Sequence, residues 1–65
     1  MTLRIYIDNK YSVFTKVESV STYKHLFDKT YDLIFDYYDE FGRLVRKTFN
    51  SNDFDYYTLW KDYTL

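Results

Sequence analysis

Few residues in this chain are equipped for chemistry. His25, its one imidazole, has Ser19, Ser21 and Asp28 close by in sequence. A nucleophilic triad would use such residues as nucleophile, base and orienting acid, but it also needs oxyanion donors assembled in three dimensions. The bland alternative is an exposed histidine on a loop or helix. The carboxylates Asp32, Asp36, Asp39 and Glu40 crowd one stretch, and a pair of them could act as general acid and base on a glycoside if burial raised one pKa. A chain of 65 residues leaves little room for such a cleft. Asn50-Ser51-Asn52-Asp53-Phe54-Asp55 gathers oxygen ligands but lacks the spacing and closing glutamate of a calcium loop. The single glycine cannot build a phosphate cradle, and the absence of cysteine removes thiolate zinc sites and disulfides. The expectation is a non-enzymatic protein with no catalytic residues, no cofactor and no metal.

Composition bounds the remaining choices. The chain is one small domain, residues 1–65, with 9 Lys+Arg against 10 Asp+Glu and a net charge of −1. That balance lacks the basic field on which non-specific nucleic-acid binding depends. Charge is mildly polarised: residues 1–27 carry net +2 and residues 28–65 net −3. Residue types with A/T-rich codons (Phe, Tyr, Met, Ile, Asn, Lys) outnumber those with G/C-rich codons (Gly, Ala, Arg, Pro) by 28 to 4, which suggests an AT-rich genome, such as a low-GC bacterium, its phage or a mobile element. No apolar run reaches signal-peptide length at the N-terminus or the ~18 residues of a membrane span. A cytoplasmic protein (host-cell cytoplasm if phage-encoded) with no membrane partner is expected.

Phe, Tyr and Trp make up 25% of the chain, and two hairpins must place most of them. Leu3, Ile5 and Ile7 alternate with Thr2, Arg4, Tyr6 and Asp8, the period of a half-buried strand, and a second alternating run extends from Tyr11 to about Val20. With Asp8-Asn9-Lys10 as a three-residue loop, Ile7 faces Tyr11, Ile5 faces Val13, Leu3 faces Thr15 and Met1 faces Val17. In the second hairpin the only glycine, Gly42, suits the left-handed end of a loop Glu40-Phe41-Gly42. That loop sets Asp39 opposite Arg43, Tyr38 opposite Leu44, Tyr37 opposite Val45, Asp36 opposite Arg46, Phe35 opposite Lys47 and Leu33 opposite Phe49. Two opposite-charge pairs result, worth roughly 0.2–1 kcal/mol each.

The segment Tyr37-Tyr38-Asp39-Glu40-Phe41-Gly42-Arg43-Leu44-Val45 resembles one unit of the YD repeats of bacterial Rhs-type toxin shells, which are strand-turn-strand hairpins. It occurs once, whereas a repeat architecture stacks at least three units. The resemblance is one of hairpin chemistry, and no family function is carried over.

Between the hairpins, within Ser19–Thr30, Ser21 or Thr22 can cap a short helix bearing Tyr23, Leu26 and Phe27. A second helix is expected over Ser51–Asp62, capped by Asn50 with Asp53 at the third position and Phe49 and Phe54 as a staple. Tyr57 and Lys61 would share one stripe with Phe54, and Tyr56, Leu59, Trp60 and Tyr63 another. Read with period two, the same segment is a strand. The expected fold is therefore α+β, order ββαββα, a four-stranded antiparallel sheet with helical cover. An all-β small barrel is the alternative if both helices fail.

Leu3, Ile5, Ile7, Val13, Val17, Leu33, Phe35, Tyr37, Val45 and Phe49 form the expected core face. Tyr6, Phe14, Ile34, Tyr38 and Leu44 remain on the opposite face, ringed by Asp32, Asp36, Arg4 and Arg46. Either a helix covers them or they make an apolar partner site or homodimer face. The favoured expectation is a protein-binding module that inhibits a host protein, anti-defence or anti-CRISPR-like. Asp32, Asp36, Asp39, Glu40, Asp53 and Asp55 would imitate phosphates, with Tyr38, Tyr56 and Tyr57 as anchors. The candidate partner-binding set is Asp32, Ile34, Asp36, Tyr38, Asp39, Glu40, Leu44, Tyr6 and Phe14. The alternatives are a single-stranded nucleic-acid binder using Tyr6, Phe14, Arg4 and Lys16 and a structural homo-oligomer.

Overall fold

In the computed structural model, described over residues 1–61, the chain is all-β. Six strands follow in order: β1 (Thr2–Ile7), β2 (Lys10–Phe14), β3 (Val17–Lys24), β4 (Tyr31–Tyr38), β5 (Leu44–Asn50) and β6 (Tyr56–Trp60). They form two three-stranded antiparallel sheets, β2-β1-β6 and β3-β4-β5. The α+β expectation is corrected in two ways. The hairpins belong to different sheets, and neither helix forms among the described residues. Ser21–Lys24 is the end of strand β3, and Tyr56–Trp60 is strand β6; the Asp62 end of the second expected helix, with Tyr63, lies outside the described residues. The all-β alternative is nearer, but the strands pair as two separate sheets.

The helical signals fail for one physical reason. A strand's backbone groups are satisfied by neighbours distant in sequence, which local patterning does not register. β6 gives β1 its second partner, pairing Leu3 with Leu59 and Ile5 with Tyr57, and β3 does the same for β4. Asn50 still caps, but it caps a turn. Its side-chain carbonyl accepts from the Asn52 N–H at 3.1 Å and its backbone carbonyl from the Asp53 N–H at 2.9 Å.

The second hairpin has the expected register throughout. Gly42 has φ 77 and donates its N–H to the Asp39 carbonyl at 3.0 Å, while Asp36 lies opposite Arg46 and Leu33 opposite Phe49. The first hairpin is corrected by one residue. Asp8 (φ 49) and Asn9 (φ 66) are both left-handed, the geometry of a two-residue type I′ turn, whose twist matches that of the flanking strands. Leu3 therefore faces Phe14, Ile5 faces Ser12 and Tyr6 faces Tyr11. Because side chains alternate, the one-residue slip exchanges the two faces of β2. Phe14, expected outside, turns inward, and Val13, expected inside, is 47% exposed.

The run from Tyr11 to Val20 spans two strands, β2 and β3, that belong to different sheets and meet at a corner. At its corner Lys16 takes φ 56, and its carbonyl accepts the Tyr38 N–H from β4 at 3.1 Å. Past this bend Met1 and Val17 exchange backbone hydrogen bonds of 2.9 and 3.1 Å, the expected pairing restored by the extra residue. Bends of this kind let one strand pass from sheet to sheet at the corner of a sandwich.

The core lies between the sheets. Leu3, Ile5, Val17, Leu33, Phe35 and Phe54 are buried, with Met1, Ile7, Phe14, Val20, Tyr31, Tyr37, Phe49 and Tyr57 packed around them. The Phe14 ring lies 4.9 Å from Phe35 and 5.3 Å from Tyr37, joining the two sheets. Phe54, from the β5–β6 connection, packs edge-on against Tyr31 and Tyr57.

Candidate binding surface

The structure divides the sequence-derived candidates among three places. Asp32, Ile34, Asp36, Tyr38 and Leu44 share the outer face of β3-β4-β5, and Asp39 and Glu40 begin the turn beyond it. Tyr6 stands on the other sheet, and Phe14 is half-buried against the core. The expected single patch is thus not assembled.

The carboxylates on this face are already engaged. Arg46 donates from Nε and a terminal nitrogen to Asp36 at 2.8 and 3.1 Å, and the Ser19 hydroxyl adds a bond of 3.1 Å. The guanidinium holds the Asp36 carboxyl below the usual carboxylate range. Asp39 accepts the backbone N–H groups of Phe41 and Arg43 and the Arg43 Nε, and the Arg43 N–H foremost lowers its pKa. Asp32 is lowered by a hydrogen bond from Asn50 and then by His25, whose Nε2 is 2.9 Å away. These acids orient a turn and two cross-strand pairs, which explains their presence without a basic partner.

The triad candidates disperse in the same way. His25 goes to Asp32, Ser19 to Asp36, and Asp28 accepts both the N–H and the hydroxyl of Thr30. Among the described residues no cluster of three or more His, Cys, Asp or Glu has metal-binding geometry.

A different surface carries the exposed aromatics. With Leu3 and Ile5 buried, Arg4 and Tyr6 point outward, together with their partners Val13 and Tyr11 on β2 and Thr58 and Tyr56 on β6. Trp60, opposite Thr2, completes the face. Tyr6 stands on the central strand with Tyr11 at 6.0 Å on one side and Tyr56 at 4.9 Å on the other, the rings nearly parallel. The Arg4 guanidinium lies 4.6 Å from the Trp60 ring centre and 5.2 Å from that of Tyr11. Arg4, Tyr6, Tyr11, Tyr56, Thr58 and Trp60 line a shallow concavity of about 180 Å³.

Sequence reasoning missed this group because it placed Tyr11 on the core face with Ile7 and put Tyr56 and Trp60 on a helix. Two signals could have found it. A two-residue Asp8-Asn9 turn sets Tyr11 beside Tyr6, and period-two reading of residues 56–60 aligns Tyr56, Thr58 and Trp60 on one face.

Comparison with protein-family models, with curated proteins and with solved structures gives no match.

Proposed function

We propose that this chain is a small protein-binding module that docks through the outer face of β2-β1-β6, and that its partner presents an acidic, acceptor-rich segment. The stacked array Tyr11-Tyr6-Tyr56 with Arg4 over Trp60 carries this proposal. Both faces of Tyr6 are covered by neighbouring tyrosines, and Arg4 occupies a face of Trp60. Tyr11, Tyr56 and Trp60 are about half exposed, so with Arg4 and Thr58 the surface offers phenols, an indole, a hydroxyl and a guanidinium. Among the described residues no carboxylate lines the concavity, so hydrogen-bond donors predominate there. Tyr, Trp and Arg are the residue types that most often anchor protein interfaces.

The base-stacking reading loses two of the rings it used: Phe14 packs against the core, and Tyr6 is flanked on both sides by tyrosines. The acid-bearing sheet supports phosphate mimicry less well than the sequence implied, because Asp32, Asp36 and Asp39 are already paired.

Trp60, the only tryptophan, reports on this face by fluorescence. Titration with a panel of acidic peptides, with lysine-rich peptides and a thymidine oligonucleotide as controls, should select acidic sequences. Arg4→Ala or Trp60→Ala should then weaken binding at least about tenfold, the effect of a hot-spot residue, with circular dichroism unchanged and tryptophan-free variants read by calorimetry. Tyr38→Ala on the other sheet should have little effect. Binding of the oligonucleotide in preference to every acidic peptide, or a larger loss from Tyr38→Ala than from Trp60→Ala, would overturn the proposal.

A further inference from the structure

The β3–β4 connection, residues 25–30, is tightly built yet displays two large apolar side chains to solvent. Its ends are joined by the His25 N–H to the Thr30 carbonyl at 2.8 Å. Inside it, Thr30 donates its N–H and hydroxyl to the same Asp28 oxygen at 3.1 and 2.7 Å. Lys29 takes the left-handed conformation, φ 59, and His25 is held by Asp32 and by edge contact with Tyr23. On this closed turn Leu26 is 87% and Phe27 101% exposed. Neither contributes to the core, so folding gives no reason for them.

Their surroundings are chemically two-sided. Tyr23, His25 and Asp28 flank the apolar pair on one side. On the other, Lys24 and Lys29 share an open concavity of about 290 Å³ with Thr22, Thr30, Tyr31 and Tyr57. Among the described residues neither lysine makes an ion pair. Two unpaired ammonium groups beside an exposed apolar pair, in a concavity that the Asp28 carboxylate does not line, are complementary to a negatively charged surface with a hydrocarbon layer beneath it.

We propose that this tip docks on an anionic lipid surface, with Leu26 and Phe27 entering the headgroup–acyl boundary and Lys24 and Lys29 meeting lipid phosphates. Lysine favours this occupant over a shaped protein pocket, because an ammonium on a flexible stem is a point charge that needs no matched acceptor geometry. Hydrocarbon likewise accepts an apolar pair without shape complementarity. Either signal alone binds weakly, and peripheral attachment generally combines two of them. The contact is a peripheral one, and no helix among the described residues is long and apolar enough to cross a membrane. It is independent of the aromatic face.

Co-sedimentation of the full chain with phosphatidylcholine vesicles containing about one-third phosphatidylserine tests this. Binding is expected at low salt and should weaken at least about tenfold on pure phosphatidylcholine or in high salt. Leu26→Ser with Phe27→Ser, and separately Lys24→Glu with Lys29→Glu, should each lose at least about tenfold while thermal melting is unchanged, since these side chains are exposed. Phe27→Trp combined with Trp60→Phe should show a blue-shifted emission on vesicle addition. Trp60→Ala should leave vesicle binding intact, which separates this contact from the peptide-binding face. No association with the anionic vesicles at low salt would overturn the proposal. So would binding that ignores the Leu26/Phe27 changes, or tip variants that lose acidic-peptide binding and keep vesicle binding.

Discussion

Substituting Val13 and Phe14 separately tests the register on which the whole surface assignment depends. The two residues are adjacent on β2, so they point to opposite faces, and a one-residue slip in the first hairpin exchanges them. In the structure Phe14 is half-buried, with ring contacts at 4.9 Å to Phe35 and 5.3 Å to Tyr37. Truncating a fully buried Phe to Ala costs about 3–5 kcal/mol. Half burial reduces that by about half, and two aromatic contacts restore about 0.5–1.5 kcal/mol each. Phe14→Ala should therefore cost about 2.5–5.5 kcal/mol. Val13 faces outward beside Arg4, and Val13→Ala should cost about 0.5 kcal/mol. A domain of 65 residues has a total stability of only about 3–10 kcal/mol, and each kcal/mol shifts Tm by about 4–8 °C. Phe14→Ala should thus lower Tm by roughly 10–45 °C and Val13→Ala by only a few. Thermal and urea unfolding followed by circular dichroism measure both. If Phe14→Ala fails to fold, Phe14→Leu supplies a milder version of the same comparison. A loss from Val13→Ala equal to or larger than that from the Phe14 variant would show that the loop has three residues and that the assigned faces are wrong.

Gly42 has φ 77 and open space where a Cβ would stand. Gly42→Ala should therefore cost only the left-handed backbone penalty, about 1–2 kcal/mol, and Gly42→Asn distinctly less; equal losses in urea melts would contradict this. Acid should destabilise the protein through Asp28, Asp32, Asp36 and Asp39, whose pKa values are all lowered by hydrogen bonds in the folded state. A carboxyl with a lowered folded pKa stabilises above its unfolded value, about 3.9, and that contribution is lost as pH falls toward the folded value. The urea midpoint should hold from neutral pH to about pH 5 and then drop below about pH 4, with a shallower drop in Asp36→Asn; a midpoint that stays level through pH 3 would refute it.

Legibility differed sharply between the two hairpins. In Tyr31–Asn50 a single glycine and the Asp36/Arg46 and Asp39/Arg43 pairs agree on one loop length, and every signal is local. In Met1–Val20, Asp8 and Asn9 tolerate left-handed backbone, so loops of two or three residues both fit the turn chemistry. Lys16 then adds a bend that no residue type announces. It restores the Met1–Val17 pairing at the end of a ladder shifted elsewhere by one residue. The candidate surface suffered from the same ambiguity. Tyr6 is legible in the sequence as an outer residue, but its companions Tyr11, Tyr56 and Trp60 join it only through the true register and with β6 as a strand. The exposure of Leu26 and Phe27 had no sequence signal, since the same residues fit the apolar face of a short helix.

The sequence by itself determined the aromatic load, the lack of cysteine and of a phosphate cradle, the two hairpins, and the cross-strand charge pairs of the second. Those follow from residue identity and from interactions within a hairpin. Only the tertiary structure decided that the hairpins belong to different sheets and that β6 completes β1. It also decided which aromatics fill the core and which form the outer face. Backbone pairing between distant strands sets register, and register assigns each side chain to core or solvent in steps of one residue.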